Sequence, residues 1–174
     1  MRNKVELLAP AGSPEGIRAA VQSGAGAVYM GFGMFNARRN AQGFSHDEMA
    51  DAIAYCRARN VKSNITLNIL VGDRELDDAL EDAKFLYEAG ADALIVTGLQ
   101  TGSAPTLDEV RKMKSLAYGR PVLIGSGIKD STIAGYLSVA DGVIVGSSIK
   151  KDGNVWNAVD AQRVRRLVDS AQGK

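Results

Sequence analysis

The sequence predicts an α/β domain in which strand–helix units repeat and form a parallel, TIM-barrel-like sheet. Short apolar runs rich in β-branched residues alternate with helical patterns six times along the chain. The runs lack an apolar–polar alternation, which is typical of strands buried on both faces. The 174 residues give roughly 29 per unit, the size of a barrel unit, but an eightfold barrel needs about 200–250 residues or more. We therefore expect about six βα units in one domain, as a reduced or incomplete barrel.

Each unit carries its own start and stop signals. The predicted strands are Val5–Ala9, Ala27–Gly31, Lys62–Leu70, Asp92–Thr97, Val122–Gly125 and Gly142–Gly146. A serine followed by proline, Ser13-Pro14, predicts the start of the first helix. Ser45 with Glu48, and Thr106 with Glu109, have the spacing of capping boxes.

The short segments that join a helix to the next strand are similar in sequence. The segment 23–29, SGAGAVY, resembles 89–95, AGADALI, and 140–144, ADGVI, is a looser copy. Asp92 and Asp141 then fall at strand starts, on the face that barrels use for stability. Gly26 breaks this pattern, and we expect that to affect stability rather than function.

Composition excludes several function classes. A net charge of +1 and a pI near 7.8 give no basic stripe for nucleic acid. No 18-residue apolar run predicts a membrane span, and the first residues lack the pattern of a signal peptide. A lone cysteine, Cys56, excludes an internal disulfide and suits a reducing cytoplasm. We expect a cytoplasmic protein without a cofactor.

The strongest candidate site is a pair of small-residue loops near the C-terminus. Gly125-Ser126-Gly127 and Gly146-Ser147-Ser148 each follow a predicted strand. In barrels the loops after the last two strands commonly hold a phosphate. Glycine lets the backbone approach an anion, and serine hydroxyls can donate to it. The sequence predicts phosphate or sulfate binding here, although small residues also simply permit tight strand exits.

Other candidates have structural alternatives. Lys150-Lys151 could attract an anion, and Arg38-Arg39 lie in a long loop that suits a lid or an exposed connector. Asn68 ends the third strand, where barrels place functional groups, and the alternative is that it caps the turn before Asp73. No nucleophile–base pair, carboxylate dyad or metal-ligand spacing emerges, so no catalytic or metal residue is predicted.

Four further residues have mainly structural interpretations. Glu6 suits an ion pair, and His46 follows a capping serine at the start of a helix. Cys56 lies on a helical apolar stripe and suits the core. Trp156 is expected to anchor the last loop.

The first ~95 residues, about three barrel units, resemble the N-terminal part of the peptidase U32 family. The matching stretches are ELLAPAGS at 6–13, AVYMG at 27–31, FNARRNA at 35–41 and TLN at 66–68. The resemblance implies a barrel fragment from a family of proteases and proteins of RNA or quinone hydroxylation. The characteristic cysteines of that family lie beyond the matched segment and do not occur in this chain.

The last ~80 residues, again counted in barrel units, resemble the BtpA/SgcQ group of barrel proteins. The matching stretches are TGLQTG at 97–102, PVLIGSG at 121–127 and DGVIVGSSIKKDG at 141–153. The resemblance implies that these residues form the final strands of a barrel. The two resemblances meet near 91–96 and divide the domain into 1–95 and 96–174.

This division favours a recombined or engineered hybrid scaffold. Its expected function is at most phosphate binding, without specific catalysis. One alternative is an enzyme acting on a phosphorylated small molecule, with Asn68 or Arg39 near the reacting centre. A second alternative is a peptidase-like or hydroxylase-like fragment.

Six units leave the question of how the sheet closes. Strand number, tilt and diameter are linked, so six strands cannot copy the geometry of eight. The first and last strands must meet or leave two open edges, and open edges pair readily with other chains. We therefore expect a homodimer with the first or last strand near the contact.

Overall fold

The computed structural model describes residues 6–32, 44–68, 73–98, 102–117 and 119–173. The predicted loop that carries Arg38-Arg39 lies outside these residues. The elements in chain order are β1 (Leu8–Pro10), α1 (Pro14–Gln22), β2 (Ala27–Gly31), α2 (His46–Arg57), β3 (Lys62–Asn68), α3 (Asp73–Ala89), β4 (Ala93–Thr97), α4 (Leu107–Leu116), β5 (Val122–Ile124), α5 (Ile133–Leu137), β6 (Gly142–Val143) and α6 (Ala161–Ala171). Two short 3-10 turns, Ser147–Ile149 and Lys151–Gly153, separate β6 from α6.

The six strands form one parallel sheet in the order of the chain. Every strand pairs with its sequence successor, in the order β1-β2-β3-β4-β5-β6. The predicted fold class, an incomplete TIM-barrel-like arrangement of six βα units, is confirmed. Within the described residues β1 and β6 have no pairing with each other, so the sheet curls but stays open.

Four strands are shorter than predicted: β4 begins one residue later, β5 ends one residue earlier, and β1 and β6 differ by more. The predicted strand residues 5 and 69–70 lie outside the described part of the chain. β1 begins at Leu8, and β6 ends at Val143 rather than Gly146. The backbone leaves the extended conformation at Gly146, with φ −122° and ψ −92°, and turns directly into the first 3-10 turn. Apolar runs locate these strands, but the exact strand ends do not follow from residue type.

The helices pack on one face of the sheet and cover its main core. Alternate strand residues such as Met30, Ile65, Leu94 and Val96 are fully buried there. Cys56 of α2 joins this core, as predicted. A smaller second cluster gathers around β5 and α5. It consists of Val110, Ile124, Ile128, Ile133 and Ala140.

The predicted helix starts are confirmed by their hydrogen bonds. The Ser13 side chain accepts from the N–H of Gly16, ahead of Pro14. Ser45 and Glu48 form a reciprocal capping box, with the Ser45 N–H donating to Glu48 Oε2 at 2.9 Å. Thr106 and Glu109 form a second box before α4. These caps fix where α1, α2 and α4 begin.

Aspartates tie neighbouring strands together at their amino-terminal ends. Before β4, Asp92 Oδ2 accepts from the N–H of Ser63 at 2.8 Å. Before β6, Asp141 Oδ2 accepts from the N–H of Val122 at 2.7 Å. Each aspartate therefore forms a hydrogen bond to the preceding strand, which supports the predicted stabilising role of these strand-start positions.

The loop after β6 projects an exposed tryptophan. Lys150 and Val159 form an antiparallel bridge, and the N–H of Lys151 donates to Ala158 O at 3.0 Å. Between them Trp156 is 90% exposed. The expectation that Trp156 anchors this loop is wrong, because backbone hydrogen bonds hold the loop and the ring points outward.

Among the helices that the structure describes, none has the length and apolar character needed to cross a bilayer.

Candidate phosphate site

The two small-residue loops lie at the carboxyl ends of β5 and β6. These strands are parallel neighbours, with Ile124 opposite Val143. The loops that follow them therefore leave the sheet at the same edge. This is the edge at which parallel barrels place their functional groups.

Gly127 allows its loop to pack closely against the segment after β4. Its φ of +76° is a conformation that favours glycine. A Cβ at this position would overlap the backbone nitrogen of Ala104. The Ser126 hydroxyl donates to Ser103 O at 2.8 Å and holds the two segments together. Gly127 is thus required for packing, whether or not an anion is bound.

A cavity of about 340 Å³ opens between the two loops. It is lined by Gly102, Gly127, Ile128, Lys129, Asp130, Gly146, Ser147, Ser148, Gly153, Arg163, Arg166 and Leu167. Four of the six residues predicted to bind phosphate line it: Gly127, Gly146, Ser147 and Ser148.

The other two predicted residues have structural roles and do not line the cavity. Gly125 donates its N–H to Val96 O at 2.8 Å, and a Cβ there would meet Thr97 Cγ2 at 2.6 Å. Its small size permits β4 and β5 to approach each other. Ser126 holds its loop to residue 103, as described above.

The cavity lining holds hydrogen-bond donors without acceptors. Within the described segments, no acceptor takes a hydrogen bond from the backbone N–H groups of Gly127, Ile128, Ser147 or Ser148. The Ser148 hydroxyl oxygen is buried and has no partner there either. Unpaired buried polar groups cost free energy, so a bound acceptor would stabilise this arrangement.

Three cations at the cavity escaped sequence analysis as site residues. Lys129 follows the first loop, and Arg163 and Arg166 lie one turn apart on α6. Arg163 Nη1 also donates to Ser148 O at 3.4 Å. The i, i+3 spacing of the two arginines was the available signal, but only the fold brings α6 beside both loops. Lys150 and Lys151 do not line the cavity.

Carboxylates partly balance these cations. Arg166 lies 3.7 Å from Asp130, and Arg163 lies 3.8 Å from Asp160. The N–H of Gln162 donates to the Asp160 carboxylate and lowers the pKa of Asp160, and Arg163 contributes to that shift. In the cavity lining itself, three cations face one carboxylate, Asp130. That excess of positive charge suits an anion.

The remaining candidates lie elsewhere. Glu6 forms the expected ion pair, with Lys62 Nζ at 2.9 Å. His46 is the first residue of α2, as predicted, and its ring packs edge-on against Phe32 and Phe85. Asn68 ends β3 opposite Thr97. No cluster of potential metal ligands occurs in the segments that the structure describes.

The parallel six-stranded sheet, with its cavity at the carboxyl ends of β5 and β6, is the arrangement of barrel-type βα proteins. A family model described as the BtpA family matches residues 33–173. The chain therefore belongs to the BtpA family.

Two relatives represent the two predicted resemblances. The photosystem I biogenesis protein BtpA of Synechocystis is 33% identical over 136 residues, which are 74% of this chain and 46% of that protein. An uncharacterized protease of Methanocaldococcus jannaschii, MJ0090, is 36% identical over 97 residues, 56% of this chain and 24% of the relative. The chain thus spans about half or less of the length of these relatives.

Solved structures agree with the fold. CutC from Streptococcus agalactiae has a TM-score of 0.72 at 14% identity, covering 97% of this chain and 84% of that one. An archaeal fructose 1,6-bisphosphate aldolase has a TM-score of 0.58 at 19% identity, covering 93% and 63%.

The comparisons correct the hybrid interpretation. The match to one family begins at residue 33 and crosses the predicted junction at 91–96. A single family therefore accounts for most of both predicted fragments, and nothing in the comparisons supports a recombined or engineered chain.

Proposed function

We propose that this domain binds the phosphate group of a small molecule in the cavity between the loops after β5 and β6. The observation that carries the proposal is the cavity lining. It combines Lys129, Arg163 and Arg166 with backbone N–H groups that lack acceptors. We assign no reaction to the domain.

The donors suit a tetrahedral oxyanion. The N–H groups of Gly127, Ser147 and Ser148 come from two separate loops, so they can approach a phosphate from two sides. The buried Ser148 hydroxyl adds a further donor. Arg163 supplies a planar guanidinium, which binds phosphate through paired hydrogen bonds.

The cavity size favours more than inorganic phosphate. Its volume of about 340 Å³ falls at the lower end of the range of small-molecule sites, about 300–1,000 Å³. The phosphate would occupy the loop end, and the rest of the ligand would extend along the carboxyl edge of the sheet. A cytoplasmic location, inferred from the single buried Cys56, suits such a metabolite.

A phosphate titration followed by amide chemical shifts tests the proposal. We expect shifts at Gly127, Ile128, Ser147 and Ser148 at millimolar-scale phosphate, a weak-binding range. Arg163→Gln should weaken binding about tenfold or more, since hydrogen bonds to charged groups contribute about 1.5–3 kcal/mol. Unchanged amide signals in these loops would contradict the proposal.

Arg165→Gln is the matched control. Arg165 lies on the same helix but is exposed and outside the cavity lining. Both variants remove one positive charge, so a general charge effect would weaken binding equally. Binding that falls only in Arg163→Gln would support a specific contact.

An enzyme acting on a phosphorylated small molecule is the second candidate. The observation in its favour is that Asn68 and Thr97 end neighbouring strands at the same edge as the cavity. Turnover of a phosphorylated metabolite that is lost in Asn68→Ala, with phosphate binding intact, would distinguish an enzyme from a binding domain.

A further inference from the structure

The cavity between the loops after β5 and β6 contains a carboxylate that phosphate binding alone does not explain. Asp130 lines the cavity together with Lys129, Arg163 and Arg166. A carboxylate repels a phosphate group, so its presence lowers the affinity of the cavity for inorganic phosphate. Asp130 favours binding only if the ligand carries a hydrogen-bond donor beside its phosphate group.

Two pairs of groups line the cavity at different positions along α6. Arg163 Nη1 donates to Ser148 O at 3.4 Å, beside the loop after β6. Arg166 Nε lies 3.7 Å from Asp130 Oδ2, beside the loop after β5. Residues three apart on a helix are separated by about 4.5 Å along its axis. A phosphate bound at Arg163 and Ser148 therefore leaves the second pair beside the next atoms of the ligand.

The pair formed by Asp130 and Arg166 can accept a further group between its members. The distance of 3.7 Å between Arg166 Nε and Asp130 Oδ2 is too long for a hydrogen bond. The Asp130 and Arg166 side chains are 48% and 56% exposed, so a ligand can reach both. The other carboxylate oxygen, Asp130 Oδ1, accepts from the N–H of Ser131 at 2.9 Å. That hydrogen bond holds the carboxylate in place before any ligand binds.

A hydroxyl group matches this pair, because it can donate to Asp130 and accept from Arg166 at the same time. An ammonium group would be attracted by Asp130 but repelled by Arg166, and a second phosphate group would have the reverse interactions. An alkyl group would leave both side chains without a new partner. We propose, on the basis of the phosphate site proposed above, that the ligand is the phosphate monoester of a small polyol or sugar. A hydroxyl close to its phosphate group contacts both Asp130 and Arg166.

Two matched phosphate monoesters test this ligand class with the full chain. Glycerol phosphate, esterified at a terminal carbon, and propyl phosphate have carbon chains of the same length, but only the first has hydroxyl groups. Each is titrated into the protein and followed by the amide chemical shifts of Gly127, Ser147 and Ser148. We expect glycerol phosphate to bind about tenfold more tightly, because hydrogen bonds to charged groups are the stronger kind. Equal affinities, with both compounds shifting these amides, would overturn the proposal and leave phosphate binding intact.

Asp130→Asn tests the part of the carboxylate. Asparagine keeps an oxygen that can accept from the N–H of Ser131 but removes the negative charge. The preference for glycerol phosphate over propyl phosphate should fall to about threefold or less. Inorganic phosphate should bind more tightly, because the repelling charge is gone. Equal weakening of all three ligands would indicate a purely structural role and would overturn the assignment to Asp130.

Asp169→Asn is the matched control. Asp169 is exposed on α6 and lies outside the cavity lining, so the substitution removes the same charge without changing the cavity. This variant should keep the full preference for glycerol phosphate, and circular dichroism would confirm that both variants fold. An unchanged preference in Asp130→Asn would contradict the proposed contact. Unchanged loop amides with inorganic phosphate and with both esters would overturn the phosphate site itself, and the ligand class with it.

Discussion

At the level of single residues, Asp141 links three parts of the chain. Its carboxylate accepts hydrogen bonds from Lys114 of α4 and from the N–H of Val122 at the start of β5. Its own N–H donates to Val122 O at 2.9 Å. Burial by itself would raise the pKa of Asp141, but the hydrogen bonds from Lys114 and Val122 outweigh it and lower the pKa.

Asp141→Ala should lower the free energy of unfolding by about 1–2 kcal/mol at pH 7, the usual effect of leaving a hydrogen-bonding partner unpaired. Asp108 is the control, because it is 83% exposed and, among the described residues, pairs only with Arg111 on the same helix. Asp108→Ala should change stability by less than about 0.5 kcal/mol. Urea unfolding measures both variants, and equal losses would contradict the assigned role.

The effect should depend on pH in one direction. Because the pKa of Asp141 is lowered in the folded state, its contribution is complete above the unfolded pKa, about 4. It is lost as pH falls through the folded pKa. The difference between wild type and Asp141→Ala should therefore shrink in acid. A difference that grew below pH 4 would contradict this sign.

At the level of elements, the joint before β2 lacks the aspartate that precedes β4 and β6. Gly26 and Ala27 donate their N–H groups to Leu7 O, as Asp92 does to Ser63 O. Gly26 has no carboxylate, so the side-chain hydrogen bond that Asp92 forms with the Ser63 N–H has no counterpart at this joint. An aspartate at 26 would be placed to accept from the N–H of Leu7, by analogy with Asp92 and Ser63.

Gly26→Asp should therefore raise the free energy of unfolding by about 0.5–1 kcal/mol, the net value of one hydrogen bond. A Cβ there would lie 3.2 Å from Glu6 Cγ and 3.7 Å from Glu6 Oε1, so the half-exposed Glu6 side chain must move away to separate the two carboxylates. Gly26→Ala adds the same Cβ without the carboxylate. Thermal unfolding of both would test the idea, and an aspartate variant no more stable than the alanine variant would contradict it.

Element types were predictable because their signals are local. A capping box such as Ser45 with Glu48 lies within four residues, and a buried parallel strand is a continuous apolar run. The end of β6 at Val143 was not predictable, because the apolar run continues through Ile144 and Val145, past the last residue in register with β5. Element existence therefore follows from sequence more readily than element length does.

The candidate site was predictable only in part for the same reason. Gly127 and Ser147 belong to loops with a local small-residue pattern, whereas Arg163 reaches the cavity only through the packing of α6. For Trp156 the sequence predicted an anchoring contact that the structure does not contain. Its residue type suggests burial, but burial of a loop side chain depends on neighbours that the sequence does not specify.

At the level of the whole molecule, the core is unequally divided. The main cluster lies under α1 to α4, and the smaller one lies around β5, α5 and α6. β6 contributes only two strand residues to the sheet, against seven for β3. Regions with fewer buried apolar contacts open more readily.

Amide hydrogen exchange in dilute protein should reveal this inequality. We expect the amides of Ile65 and Leu94 to exchange at least tenfold more slowly than that of Ile144, which donates to Ile124 O. We expect the smaller cluster to open without disturbing β3 and β4, because regions with fewer buried apolar contacts open locally. Equal protection across the sheet would indicate that the two clusters open as one unit.

The agreement between chain order and strand order has a consequence for how such genes change length. Each unit takes its sheet partners from the units just before and after it. Duplicating or deleting one βα segment at either end of the coding sequence would lengthen or shorten the sheet without altering any interior pairing. Relatives that differ by one terminal unit would therefore share every remaining strand pairing.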